Sequence, residues 1–434
     1  MSRTEGTAHR RRVVITGCGA ITPLGLTTQQ FWSALVAGRS GVGPITRFDA
    51  SNLPVRIAGE VRDFDPSPYM PRTVSRRLDL FAQYALAAAL QAVEDAKLDI
   101  GGDQIDPDRV GVYLGSAYGP VELTDHNREV LRLQGPRKVA AYFVAAGGID
   151  NAAGEVALRL GARGPSAAMT TACATGATCT GEAMRLIQHG YADVMVVGGA
   201  DESLNPLNVA AAANANALSR RNDAPTAASR PFDKNRDGFV VASGAGVLIL
   251  EEAGHAVRRG APVLAELVGY GATTDVYHVT APHPEGRAAR QAMRLALADA
   301  DLEPGDVDYV NAHGTGTRLN DRIESEAIRA VLGEPATRIP ISSIKSMTGH
   351  TLGAAGALEL IATAHTVVTG TVPPTINCDD PEDTELDYVA HHARARPVRV
   401  ALSNSFGFGG HNAVLVVSAW SEPDGERGTG GIHS

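Results

Sequence analysis

The same order of elements occurs in the first half of the chain and again in the second. RVGVYLGSAYG (109–119) leads to AAMTTACATGATCTGEAMRLI (167–187), then ADVMVVGGAD (192–201) and GFVVASGAGVLILE (238–251). VDYVNAHGTGT (307–317) leads to PISSIKSMTGHTLGAAGALELI (340–361), then RVALSNSFGFGG (399–410) and HNAVLVVSA (411–419). Each copy reads strand, loop, strand, Gly/Ala-rich helix, strand, glycine turn, strand. A repeat of this size in 434 residues points to one duplicated fold rather than two unrelated domains. Charge and glycine interrupt the pattern at EAGHAVRRGAPV (252–263), which places the join there. The expected halves are residues 12–255 and 256–419, with 1–11 and 420–434 as disordered ends.

Within each half, short β-branched runs alternate with Ala-rich stretches. VVITGCG (13–19), VGVYLG (110–115), DVMVVGG (193–199) and AGVLILE (245–251) read as buried strands. EGRAARQAMRLALADAD (285–301) places Ala289, Ala292, Met293, Ala296 and Ala300 at helical spacing. Strands alternating with helices predict an α/β layered fold.

Composition narrows the function classes. A net charge of −9 argues against a nucleic-acid footprint. The longest apolar runs fall short of a membrane span, and MSRTEGTAHRRR carries no secretory apolar segment. The expected setting is soluble and cytoplasmic. Cys18, Cys173, Cys179 and Cys378 have neither CxxC pairing nor metal-ligand spacing. Lys and Arg total 39, of which only Lys97, Lys138, Lys234 and Lys345 are lysine. A GC-rich genome accounts for that bias, yet a lysine retained beside a candidate site merits attention.

Cys173 stands at a strand-to-helix turn among Thr171, Ala172, Ala174 and Thr175. A helix start lowers a thiol pKa, small neighbours leave a thioester room, and backbone N–H groups there can hold an oxyanion. The alternative is a small buried apolar residue, the common fate of a free cysteine; Cys179 fits that description. His313 in NAHGTGT and His350 in KSMTGH lie among Gly, Ser and Thr rather than core residues. If the halves pack about a pseudo-twofold, Cys173 and the two histidines enter one crevice. No further ligand at a recognisable spacing supports a metal site. Thr315 and Thr317 suit a polar substrate arm or an ordinary turn. Lys345 finds its natural partner in Glu324, as a site pair or a surface pair. NSFGFGGHN (404–412) lacks the GxGxxG spacing of a dinucleotide fingerprint; Phe406 or Phe408 there would cover a ligand.

With these motifs in hand, the chain resembles the elongating β-ketoacyl-acyl-carrier-protein synthases of the thiolase superfamily, over residues 11 to 418. The carrying motifs are ACATGA around Cys173, RPFDKNRDGFV (230–240), VNAHGTGT (310–317), SSIKSMTGH (342–350) and SNSFGFGGHN (403–412). The resemblance implies a thiolase-like duplicated fold of five αβαβα layers, and an obligate dimer. It implies Cys173 as acyl-accepting nucleophile, with His313 and His350 promoting decarboxylation of a malonyl thioester. Phe408 and Cys173 would supply the oxyanion-hole N–H groups, Phe408 doubling as gate. Lys345 and Glu324 would order the site, Thr315 and Thr317 would meet the phosphopantetheine arm, and Phe406 would join them in binding substrate. No cofactor or metal is implied beyond the phosphopantetheine of the acyl carrier protein.

The final Gly-rich loop lacks a thiolase's second cysteine, and His350 stands where initiating synthases carry asparagine. Chain-length-factor subunits lack the nucleophile. AHGTGTRLNDRIESEA looks closer to ketosynthase-α subunits of type II polyketide systems, whereas ACATGA and SNSFGFGGHN look closer to fatty-acid enzymes. The polyketide reading predicts a heterodimer with a chain-length-factor homologue; the fatty-acid reading predicts a homodimer. A non-catalytic partner subunit is the reading from another class. Arg72, Arg76 and Arg77 in PRTVSRRLD match a carrier-docking region, or form a solvated helix start.

Overall fold

The computed structural model describes residues 10–422. Eleven strands form one mixed sheet: β1 (Val13–Ile21), β2 (Val110–Gly115), β3 (Ser166–Ala167), β4 (Val194–Asp201), β5 (Gly244–Glu252), β6 (Ala265–Thr274), β7 (Tyr309–Asn311), β8 (Pro340–Ser342), β9 (Asp387–Tyr388), β10 (Val400–Phe406) and β11 (His411–Ser418). Across the sheet they run β9-β8-β7-β10-β11-β6-β1-β5-β4-β2-β3.

That order displays the duplication. From the β1–β6 junction outward, one half gives β1, β5, β4, β2, β3, and the other gives β6, β11, β10, β7, β8, with β9 added at the edge. Pairing directions also match: β2·β4 and β7·β10 are parallel, while β4·β5 and β10·β11 are antiparallel. The halves meet where Val13 pairs with Leu267 and Ile15 with Ala265. Strands covered on both faces need no polar alternation. β4, VMVVGGAD, is accordingly buried at every position.

Five helices matter for the site: α1 (Leu80–Asp95), α2 (Thr175–Gln188), α3 (Arg287–Asp299), α4 (Arg318–Leu332) and α5 (Ala355–Thr369). α1 covers β1 and β5 on one outer face, and α3 covers β6 and β11 on the other, while α2 and α5 pack together between the half-sheets. The result is the five-layer α/β arrangement expected.

Small residues set the layer spacing, and they too come in pairs. A Cβ on Gly17 or Gly19 would lie 2.3 or 1.9 Å from the carbonyl oxygens of Ala92 and Ala88 on α1. On Gly269 or Gly271 it would lie 2.3 or 2.1 Å from those of Ala296 and Ala292 on α3. In the central layer, a Cβ on Gly176 would lie 2.7 Å from the Ala357 nitrogen, and one on Gly356 would lie 2.7 Å from the Ala177 nitrogen. Interiors this dense leave no room for even one methyl. α2 and α5 therefore touch backbone to backbone along the seam.

Two expectations need correction. Leu352–Thr369 is long and apolar enough for a membrane span, with mean hydropathy 1.3, but 83 % of it is buried as the central-layer helix. The inner edges of the expected disordered ends also belong to the folded body. Arg10 pairs with Asp299, Arg11 with Asp193, and the Arg12 guanidinium lies 4.6 Å from the Trp420 ring centroid. Residues 1–9 and 423–434, the remainder of those ends, lie outside the described residues.

Candidate active site

The two central helices begin with the same unusual turn. Ala172 (φ +50°) and Leu352 (φ +52°) are in the left-handed region, which costs a residue with a side chain about 1 kcal/mol or more. Each opens a 3₁₀ turn, Ala172–Ala174 or Leu352–Ala354, that runs into its helix. TACATGA (171–177) and TLGAAGA (351–357) then align without a gap, so the counterpart of Cys173 is Gly353. His350 stands three positions ahead of that counterpart rather than at it.

This geometry brings Cys173, His313 and His350 together: the sulfur and one ring nitrogen of each histidine lie within 4.8 Å of one another. The rings meet edge to face, with centroids 5.4 Å apart. Phe406 sits 5.8 Å from the His313 ring and Phe239 5.3 Å from that of His350. His313 lies two residues past the end of β7, and His350 is held by its own backbone N–H to the Val240 carbonyl at 2.7 Å.

Cys173 is only 8 % exposed, not uncovered as its small neighbours suggest. Burial pushes its thiol up to about 11, against the lowering effects of Lys345 and the Phe408 backbone N–H. Desolvation therefore outweighs the helix start. The resting group is a thiol. Cys179 is fully buried, as read from sequence.

Both imidazoles are held neutral and in one tautomer. Burial lowers His313 well below the ordinary value, with Lys345 and His350 adding to the effect; burial and then Lys345 do the same to His350. The Lys345 ammonium donates to His313 Nδ1 at 3.2 Å, and the Leu352 N–H donates to His350 Nδ1 at 3.3 Å. An ammonium and an amide can only donate, so each Nδ1 is an acceptor and the proton sits on Nε2. His350 Nε2 is buried without a protein partner. Three potential metal ligands do meet in space, which sequence spacing did not reveal. Their tautomers, however, present N–H groups to an oxygen rather than lone pairs to a cation.

Lys345 does not pair with Glu324. Its ammonium, 1 % exposed as a residue, donates to Glu359 Oε1, to the His313 carbonyl at 2.7 Å and to His313 Nδ1. Three N–H donors are thereby used up. Glu324 instead accepts from the backbone N–H groups of His313 and Gly314, both at 2.8 Å, and from Asn404 Nδ2 at 3.1 Å. Burial raises both carboxyls to about 7; backbone donors oppose it at Glu324, and Lys345 opposes it at Glu359. Asp321, one turn earlier on α4, accepts from Thr315, Gly316 and Phe232 N–H groups. One helix face thus ties down the whole 313–316 loop.

Cys173, His313 and His350 line a cavity of about 830 Å³, whose wall also includes Thr315, Thr317, Phe406 and Phe408. The threonine hydroxyls are 2.9 Å apart. Phe408 is 45 % exposed, and beside it Gly407 packs so closely that a Cβ would come 3.1 Å from the Cys173 nitrogen. Arg72, Arg76 and Arg77 lie outside this wall. Arg72 and Arg76 are exposed, whereas Arg77 pairs with Glu155 at 2.7 Å.

Sequence reasoning missed Glu359, Asp321 and Tyr118, a further residue of the cavity wall. A signal existed for the first two. Glu359 is the lone charge in the apolar helix AGALELIATAHTVVT, and Asp321 and Glu324 share a helix face at i, i+3. Nothing distinguished Tyr118.

Family profiles described as "Beta-ketoacyl synthase, N-terminal domain" and "Beta-ketoacyl synthase, C-terminal domain" match residues 10–256 and 264–379. The chain is 48 % identical over 408 residues to "3-oxoacyl-[acyl-carrier-protein] synthase 2" of Synechocystis sp., covering 94 % of this chain and 98 % of that one. A solved type II polyketide ketosynthase in complex with its acyl-carrier protein matches with TM-score 0.87 at 35 % identity, covering 95 % of this chain and all of its own. The ishigamide ketosynthase/chain length factor matches with the same TM-score, identity and coverage. With a duplicated thiolase-like frame and one Cys-His-His pocket, the chain belongs to the β-ketoacyl synthase family, whose members are condensing acyltransferases.

Proposed function

We propose that the protein is a 3-oxoacyl-acyl-carrier-protein synthase that condenses an acyl chain held on Cys173 with a malonyl thioester. The observation carrying this is the pocket itself: one thiol facing two neutral imidazoles whose Nε2 atoms are donors.

In the first half-reaction Cys173 Sγ attacks the thioester carbonyl of an acyl carrier. The N–H groups of Cys173 and Phe408 hold the oxyanion, the carrier thiol leaves, and the proton from Cys173 goes with it. In the second, the malonyl thioester carbonyl accepts hydrogen bonds from Nε2 of His313 and His350. The bond to the malonyl carboxyl breaks, CO₂ departs, and its electron pair forms an enolate stabilised by those donors. The enolate carbon attacks the acyl carbonyl, and Cys173 leaves and regains a proton. Preorganised donors of this kind are worth roughly 10²–10³ in rate each. Phosphopantetheine enters past Thr315 and Thr317, and the chemistry asks for no metal or further cofactor.

The partner is an acyl carrier protein, docked through exposed Arg72 and Arg76, and the four free cysteines fit a reducing cytoplasm. The motif pattern favours the ketosynthase subunit of a type II polyketide system, paired with a chain-length-factor homologue. One observation favours a second reading, a fatty-acid elongation synthase working as a homodimer: identity is 48 % to the synthase 2 relative and 35 % to the polyketide ketosynthases.

The test supplies acyl and malonyl carriers and follows 3-ketoacyl product by mass. Wild type forms it and Cys173→Ala does not; product from the variant, or none from wild type, overturns the reading. Purification from the native source then separates the dimers by whether one chain or two emerges.

A further inference from the structure

Asp201 ends β4 and is fully buried, yet every donor that meets it is neutral. Its Oδ1 accepts from Ser116 Oγ at 2.6 Å and the Tyr118 N–H at 3.1 Å. Its Oδ2 accepts from the Ala117 N–H at 2.9 Å and the Gly353 N–H at 2.6 Å. The first three donors belong to the loop after β2, in the Cys173 half; Ala117 and Tyr118 from it line the cavity. The fourth belongs to the turn that opens α5, in the other half. Gly353 is the counterpart of Cys173, and a Cβ on it would lie 2.5 Å from Asp201 Oδ2.

This link reaches the chemistry through one peptide unit. The N–H of Gly353 points at Asp201, and the N–H of its neighbour Leu352 points at His350 Nδ1. Leu352 carries the left-handed φ, so the turn does not relax to this shape without support. Fixing Gly353 therefore fixes the donor that sets the His350 tautomer.

We propose that Asp201 is a positioning residue that clamps the α5 turn across the seam and so aims His350 Nε2 at the malonyl carbonyl. It supports decarboxylation and condensation in this way, whereas its charge disfavours ionisation of Cys173, so its removal does not slow acyl transfer. Burying a carboxylate without a cation is expensive, and four N–H and O–H donors compensate for lost water. Burial still raises its carboxyl to about 6, so the ionised form that accepts on both oxygens prevails at neutral pH. An amide at this position keeps the shape, yet turns one acceptor into a donor facing N–H groups.

The inference rests on the ketosynthase reading, and its test separates the two. Acyl loading of Cys173 and malonyl-carrier decarboxylation are measured on wild type, Asp201→Asn, Gly353→Ala and Ser116→Ala, with melting followed in parallel. A misplacement of about 1 Å costs on the order of 10²-fold. Asp201→Asn and Gly353→Ala are each expected to lose roughly 10- to 100-fold in kcat for decarboxylation, with KM and loading changed less than about 3-fold. Ser116→Ala, which removes one donor but leaves the link to Gly353, is expected to lose less than either of them. Should Asp201→Asn not fold, Gly353→Ala breaks the same link from the opposite side. Unchanged decarboxylation in both, or equal loss of loading and decarboxylation, overturns the clamp. A wild-type protein that neither loads nor decarboxylates overturns the ketosynthase reading instead.

Discussion

The Lys345 ammonium rests against Glu359, fourteen positions on and on the neighbouring helix, and not against Glu324. The two carboxylates divide the labour. Glu359 holds the lysine that fixes the His313 tautomer, and Glu324 holds the backbone that carries His313.

A double-mutant cycle reads that division. Lys345→Met with Glu359→Gln is expected to show strong coupling in stability, about 1 kcal/mol or more, because breaking a buried pair leaves a lone charge. Lys345→Met with Glu324→Gln, which meet only through their shared partner His313, is expected to show weaker coupling than that pair. Thermal or denaturant unfolding checks both.

Lys345→Met also frees His313 Nδ1, and the ring can then shift its proton away from the site. Malonyl decarboxylation is expected to fall by roughly 10²-fold, the scale for losing one oriented donor. Acyl loading of Cys173, followed by intact mass, falls by less, because only the lowering effect of Lys345 on the thiol is lost there. Equal losses in both steps would contradict the assigned tautomer.

Replacing the nucleophile should uncouple the half-reactions. Cys173→Gln keeps both histidines, so release of CO₂ from the malonyl carrier persists while 3-ketoacyl product disappears. The check is CO₂ evolution beside product mass.

Acid should weaken the fold through the histidines. Both have folded pKa values below the unfolded value of about 6.5, so the unfolded chain binds more protons as pH falls below it. Their contribution is complete above that pH and is lost as pH drops toward the folded values. Glu324 and Glu359, raised to about 7, act with the opposite sign between about 4.5 and 7, so the test is a difference between proteins. Wild type minus His350→Gln should fall by up to about 1.4 kcal/mol per pH unit below about 6.5, measured by denaturant unfolding.

Much of this was legible because the duplication repeats on every level. The buried strands announced themselves as apolar runs, and Gly-rich motifs marked Cys173, His313 and His350. Three features were not legible. The depth of Cys173 depends on Gly407, Phe408 and the opposing half, which sequence neighbours do not reveal. The partner of Lys345 depends on how α5 faces the 313–317 loop; spacing favoured Glu324, but its carboxylate was already taken by backbone donors. Asp201 looked like the polar end of a strand, since its meaning lies in a contact with Gly353, 152 positions away.

The most direct test is peptide-mapped intact mass after incubation with an acyl-carrier thioester. A single acyl adduct on the ACATGA peptide at Cys173, absent from Cys173→Ala, is the predicted result. An adduct on Cys18, Cys179 or Cys378, or none at all, would contradict it.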